Sequence, residues 1–255
     1  MEDDDRAKYL FLSLLQARVG SSLVAHLGNL DPEAVLRTPV VELAGRAKIS
    51  ERASRAFEEL QRAFDPGRMQ ERLEAKGIEA LTPVDEAYPG PLRSIPDPPP
   101  AVFVNGVVPD TVSVALVGSR KASATGIETA RALGFALSER GVCVVSGLAL
   151  GVDAAAHEGA LEGGGPTVGV LGCGIDVTYP TKYKRSRAAF PRSALQGTHA
   201  TIRSREGLEK GYRLRHRLIC NAEAVTHNYS VCMLWDVSLF YSARCSGRSE
   251  GIKAT

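Results

Sequence analysis

The sequence predicts an α/β protein with a doubly wound, mostly parallel sheet and a small all-helical domain in front of it. Three observations carry this. Short apolar runs recur at Val114–Val117, Val142–Val145 and Thr167–Leu171. Each stops at a turn of small residues: Gly118-Ser119, Ser146-Gly147 and Gly172-Cys173-Gly174. The segments between them have helical character, so the order is strand, helix, strand, helix, strand, the pattern of parallel crossovers. The glycine turns then fall at strand carboxyl ends, where such sheets bind ligands.

Taken in order, residues from about Arg6 to Phe64 read as a bundle of short helices. Leu10, Leu14 and Leu15 give a helical stripe, and Val19–Gly28 is a glycine turn followed by a helix. Asp31-Pro32 is a cap with a first-turn proline, and Ser50 caps a helix that runs to about Phe64. Glycine turns between small helices bind DNA backbones in some proteins and serve plain protein interactions in others. Asp65-Pro66-Gly67 marks a boundary. A helix from Met69 to Lys76 follows, then a short strand in IEALTP. Tyr88–Gly106 is a proline-rich connector that cannot be a helix interior. It ends in a strand over Ala101–Asn105.

In the core, Ile127, Ala130, Leu133 and Leu137 share one helical face, and Gly141 sits where a helix end favours positive φ. A second helix runs from Asp153 to about Leu161 and stops at Gly163-Gly164-Gly165. Beyond Tyr179-Pro180 the alternation fades, although Val231–Trp235 and Val237–Tyr241 are apolar runs. This divides the chain into a helical domain over 1–66, a core over 67–185 and a basic C-terminal part over 186–255.

Two strand ends that carry Gly and Ser and open into helices expose backbone N–H groups and the positive ends of helix dipoles. Arg120 adds a planar, permanently charged fork suited to phosphate. Charge placement extends the argument. The chain's net charge is only +2, yet Thr181–Cys220 holds eleven Lys and Arg against Glu206 and Glu209. A basic segment after a phosphate-type site suits a polyanion, and a solvated tail has the same composition.

The five cysteines show no Cys-x-x-Cys spacing and read as small buried hydrophobes of a reducing compartment. There is no apolar run of membrane-spanning length. The acidic start MEDDDRAKYL lacks a signal-peptide layout, so a cytoplasmic location is expected.

Four blocks, in this order, resemble the DNA-processing protein A (DprA, or Smf) family: YPGPLRSIPDPPPAVFVNG, VALVGSRKASATG, VVSGLALGVDAAAHEGAL and TVGVLGCGIDVTYP. With the N-terminal segment around Gly20, the likeness covers about residues 8–185. It implies a Rossmann-like fold behind a SAM-like helical domain. It also implies a protein that binds and protects single-stranded DNA in natural transformation, helps load the RecA recombinase and forms a homodimer. No catalytic chemistry, cofactor or membrane partner is implied. The resemblance assigns DNA or phosphate contacts to Gly118, Ser119, Arg120 and Lys121, to Ser146, Gly147, Gly151 and Asp153, and to Lys182. Asp153 is expected to orient the turn rather than touch DNA. His157, one helical turn on, reads as a satisfied core histidine.

The chain departs from the family pattern at Leu150, where the family usually has Arg. Its C-terminal part is diverged or disrupted. Tyr212–Ile219 is a worn likeness of a family block and keeps Arg215 and Arg217, also assigned to DNA. If a shifted reading frame caused this, another frame of the nucleotide sequence should restore the missing blocks. Two alternative functions compete. One is a nucleotide-phosphate-binding Rossmann enzyme of the nucleoside-monophosphate hydrolase type, for which the Pro-Gly-Gly-x-Gly-Thr turn is missing. Dinucleotide binding would need Gly-x-Gly-x-x-Gly, and Val177 fills the third glycine position. The other is a partly defective remnant with weak DNA binding.

Overall fold

The computed structural model describes residues 2–19, 21–43, 50–93, 98–171, 231–235 and 239–243. They fall into two compact units, divided between Asp110 and Thr111 and again after Thr167.

The first unit opens with helices α1 (Glu2–Val19), α2 (Ser21–Gly28), α3 (Pro32–Arg37), α4 (Val40–Leu43) and α5 (Glu51–Ala63). Phe11, Leu12 and Leu15 of α1 form the middle of their core, packed with Leu27, Val35, Val40 and Phe57. Phe11 meets Phe57 and Phe64 edge to face, with ring centroids 5.2 and 5.5 Å apart. Both expected caps are present. Asp31 Oδ1 accepts from the amides of Glu33 and Ala34, and Ser50 Oγ accepts from Ala53 N–H. The Asp65-Pro66-Gly67 turn is instead the start of α6 (Pro66–Glu74), with Asp65 as its cap accepting from Arg68 N–H. Proline needs no N–H partner at a first helical position, so the same three residues begin a helix as readily as they break one.

Strands β1 (Glu79–Leu81) and β2 (Val102–Val104) pair antiparallel, Ala80 opposite Phe103. A short helix α7 (Gly90–Arg93) lies in the connector between them. Tyr88 O–H donates to Pro99 O at 2.8 Å and pins the connector's two ends. Leu10, on the other side of α1 from Phe11, shares a core with Ile78, Ala80, Ala101 and Phe103. The Arg6 guanidinium bridges to Asp85 and donates to Ala80 O.

The second unit holds β3 (Ser113–Gly118), α8 (Ala124–Ser138), β4 (Cys143–Ser146) and α9 (Val152–Glu162). The sheet is completed by β5 (Thr167–Gly169), β6 (Val231–Trp235) and β7 (Leu239–Ala243), in the order β5-β4-β3-β6-β7. β4 and β6 run parallel to β3 on either side of it, and β7 is antiparallel to β6. The apolar runs that had no place in the alternation therefore become β6 and, shifted toward the C-terminus, β7. Strand order reverses at β3, the signature of a doubly wound sheet.

Leu116, Val144, Ala156 and Ala160 form the core between this sheet and its helices. α8 and α9 touch backbone to backbone. A Cβ on Gly134 would lie 2.2 Å from Ala156 O, and one on Gly159 would lie 1.9 Å from Arg131 O. The Arg131 guanidinium grips both carboxylate oxygens of Glu162 at the outer rim of the same contact and holds the Glu162 pKa below its ordinary value. Gly141 ends α8 with φ of +72°, as its position in the sequence required. Cys143 is buried, and burial pushes its thiol up to about 12.

Two outcomes follow for stability. Gly159→Ala must force α8 and α9 apart and should cost about 1–3 kcal/mol, read as a lower thermal midpoint. Gly126→Ala, whose Cβ would meet nothing closer than 3.4 Å, should leave the midpoint unchanged or raise it. The Cys143 thiol favours the folded state while it stays neutral. Its contribution is whole below pH 9 and is lost as pH climbs from there toward about 12. Urea midpoints from pH 8 upward should fall less steeply for Cys143→Ala than for the unaltered chain.

Candidate functional site

Strand order reverses at β3, and Gly118-Ser119-Arg120-Lys121 lies at that strand's carboxyl end. Gly118 is the last residue of β3, and the next three residues are exposed. Ser119 Oγ accepts from Lys121 N–H at 3.1 Å, a local turn that leaves the hydroxyl hydrogen to donate outward. Ser123 then caps α8, its Oγ accepting from Gly126 N–H.

The second turn, at the end of β4, is locked onto the first. Gly151 has φ of +84°, and a Cβ there would lie 2.2 Å from Ser119 O and 3.0 Å from the carbonyl of Arg120. Val152 N–H donates to that same Ser119 carbonyl at 3.2 Å. Any residue larger than glycine would push the two turns apart. Asp153, 4% exposed at the start of α9, accepts from Ala149 N–H at 3.3 Å and so ties the turn to the helix it opens. Its carboxylate also occupies the positive end of α9 from within.

Ser146 is fully buried, and its hydroxyl donates to Leu116 O at 2.5 Å across the β3–β4 pair. Gly147 is buried beside it. Ser146 and Asp153 thus brace the site from inside, while Ser119, Arg120 and Lys121 form its exposed edge. His157 is also fully buried. Thr167 O–H donates to Val144 O at 2.8 Å, so its oxygen accepts from His157 Nδ1–H at 2.7 Å. This arrangement fixes the Nδ1–H tautomer and places the imidazole in the core. Lys182, Arg215 and Arg217 lie outside the described residues, as do Gly172, Cys173, Gly174 and Gly20.

Sequence reasoning passed over Leu148. Its φ is +53°, the one positive φ of a non-glycine residue among those described. A leucine is costly in that conformation, and nothing in the residue type announces it. Leu150, two residues on, is 43% exposed. Among the described residues no group of His, Cys, Asp or Glu could hold a metal ion, and no helix is long and apolar enough to cross a membrane.

Comparison with known proteins places the fold among relatives. The family model of DNA recombination-mediator protein A matches residues 79–220, more than half of the chain. The Smf protein of Synechocystis is 36% identical over 140 residues, which cover 52% of this chain and 34% of that one. The crystal structure of DNA processing protein A from Streptococcus pneumoniae superposes with a TM-score of 0.63 at 25% identity, covering 85% of this chain and 75% of that one. DNA processing protein A from Helicobacter pylori, whose solved structure concerns a unique single-stranded DNA binding mode, shares the fold with a TM-score of 0.50 at 23% identity, over 61% of this chain and 68% of that one. The chain spans between about a third and three fifths of the length of the curated relatives it matches first. The match over residues 79–220, on a sheet whose glycine turns meet at its point of reversal, places this chain in the DNA recombination-mediator protein A family.

Proposed function

We propose that the chain is a DNA-processing protein that binds the backbone of single-stranded DNA at the carboxyl edge of β3, without catalysing a reaction. One observation carries the reading. The two turns are fused through Gly151 and Ser119, and the joined edge presents the Ser119 hydroxyl, Arg120 and Lys121 to solvent. Arg120 supplies the charged fork for a phosphate, Lys121 a second positive charge, and the Ser119 O–H and turn amides of Gly118 and Gly151 the neutral donors. Ser146, Gly147 and Asp153 hold this edge in place. Lys182, Arg215 and Arg217 extend the positive track in this proposal.

The role proposed for the family member is that of its relatives by name: processing of DNA in recombination. We extend it to shielding incoming single strands in the cytoplasm during natural transformation and helping RecA to load on them, with a homodimer as the working form. Family membership and the single-stranded DNA binding of the Helicobacter pylori protein support this reading.

Two measurements test the site. In gel shifts with a single-stranded oligonucleotide, Arg120→Ala should weaken binding about tenfold or more for every base sequence alike. It should also lower the slope of log affinity against log salt by about one. Unchanged binding in moderate salt would remove Arg120 from the site. Asp153→Ala frees the Ala149 amide and should weaken binding several-fold, while Asp153→Asn, which keeps an oxygen acceptor, should recover most of the loss. Equal losses in the two variants would show that the carboxylate charge, rather than its hydrogen bond, is what matters.

A further inference from the structure

We propose that Leu150 is a base-contacting residue: it gives the phosphate edge an apolar surface for an unpaired nucleobase, and so contributes to choice of single strand over duplex. The inference rests on the DNA reading above and adds to it which part of the strand this position touches. Three observations on one short turn carry it. Leu150 is a large apolar side chain left 43% exposed, directly before the glycine whose backbone lies against Ser119 O and the Arg120 carbonyl. It therefore stands at the same mouth as Arg120. The turn that presents it is held under strain, because Leu148 keeps a φ of +53° that a leucine rarely adopts. Strain of this kind persists where surrounding contacts enforce it and is found at ligand clamps. Here those contacts are the Asp153 carboxylate on Ala149 N–H, next to Leu148, and Val152 N–H on Ser119 O beyond Leu150. The side chain is thus carried on a fixed turn and not on a free loop.

The chemistry then limits what Leu150 can meet. Its side chain has no donor for a phosphate, and the charged donors of the site, Arg120 and Lys121, lie on the adjoining turn. The group that accompanies each phosphate along a nucleic acid strand is a base with an apolar face. In a duplex those faces are stacked on one another and closed to a side chain. In a single strand they can be splayed onto the protein. An apolar residue beside a phosphate grip therefore favours the unpaired strand, and it does so without reading base identity.

The test compares two strands of equal length and charge, labelled oligothymidylate and the corresponding abasic deoxyribose-phosphate oligomer, titrated against the full chain by fluorescence anisotropy. Leu150→Ala should weaken oligothymidylate binding by about three- to tenfold and leave the abasic strand unchanged. Arg120→Ala should weaken both strands by the same factor. Leu150→Arg should lose the preference for the strand with bases while its salt dependence steepens. An equal effect of Leu150→Ala on both strands, or no effect on either, overturns the base contact and leaves the phosphate site standing. Failure of the unaltered chain to bind either strand overturns the DNA reading and the base contact with it.

Discussion

The two strand–turn–helix halves of the sheet meet backbone to backbone, and glycine at each meeting point is what permits it. Gly134 and Gly159 let α8 and α9 approach so closely that a single methyl group on either would collide with a carbonyl oxygen of the other helix. Gly151 does the same between the turns. These contacts have little apolar area, so their importance is geometric. With the helices in contact, both pack on Leu116 and Val144, and both start beside the carboxyl ends of their strands. With the turns in contact, one continuous edge forms in place of two separate loops. The bidentate Arg131–Glu162 pair lies on the surface of the helix contact and can hold it only weakly, since exposed ion pairs are screened by solvent.

That edge divides labour between charge and support. The groups able to meet an anion are exposed: the Ser119 hydroxyl, Arg120 and Lys121. The groups that fix the turns are buried and committed: Ser146 to Leu116 O, Asp153 to Ala149 N–H, His157 through Thr167 to Val144 O. Such an arrangement holds the exposed groups on a fixed backbone. Among the described residues, this edge places no nucleophile beside a base.

The first unit is built by different means. Phe11 on one side of α1 and Leu10 on the other serve two cores, so this one helix joins the helical bundle to the β1–β2 pair. The capping residues Asp31, Ser50 and Asp65 each satisfy backbone amides that would otherwise go without partners at helix starts. The proline connector is fixed by a buried Tyr88 whose hydroxyl reaches Pro99 O, and burial raises the pKa of that hydroxyl.

The sequence by itself determined the alternation of strand and helix in the parallel core, the small-residue turns after β3 and β4, and the helix caps at Asp31 and Ser50. Periodicity, capping chemistry and the conformational needs of glycine are local properties, and the chain displays them in order. Tertiary structure decided the rest. Only pairing shows that Val231–Trp235 lies against β3, because a strand's neighbour is set across the sheet and leaves no local trace. Only packing shows that Gly134 and Gly159 are contact points rather than weak places in helices. The strain at Leu148 and the exposure of Leu150 are likewise products of the turn closing on Ser119. Sequence placed Leu150 in the turn; only the structure shows that 43% of it stays exposed beside the glycine contact.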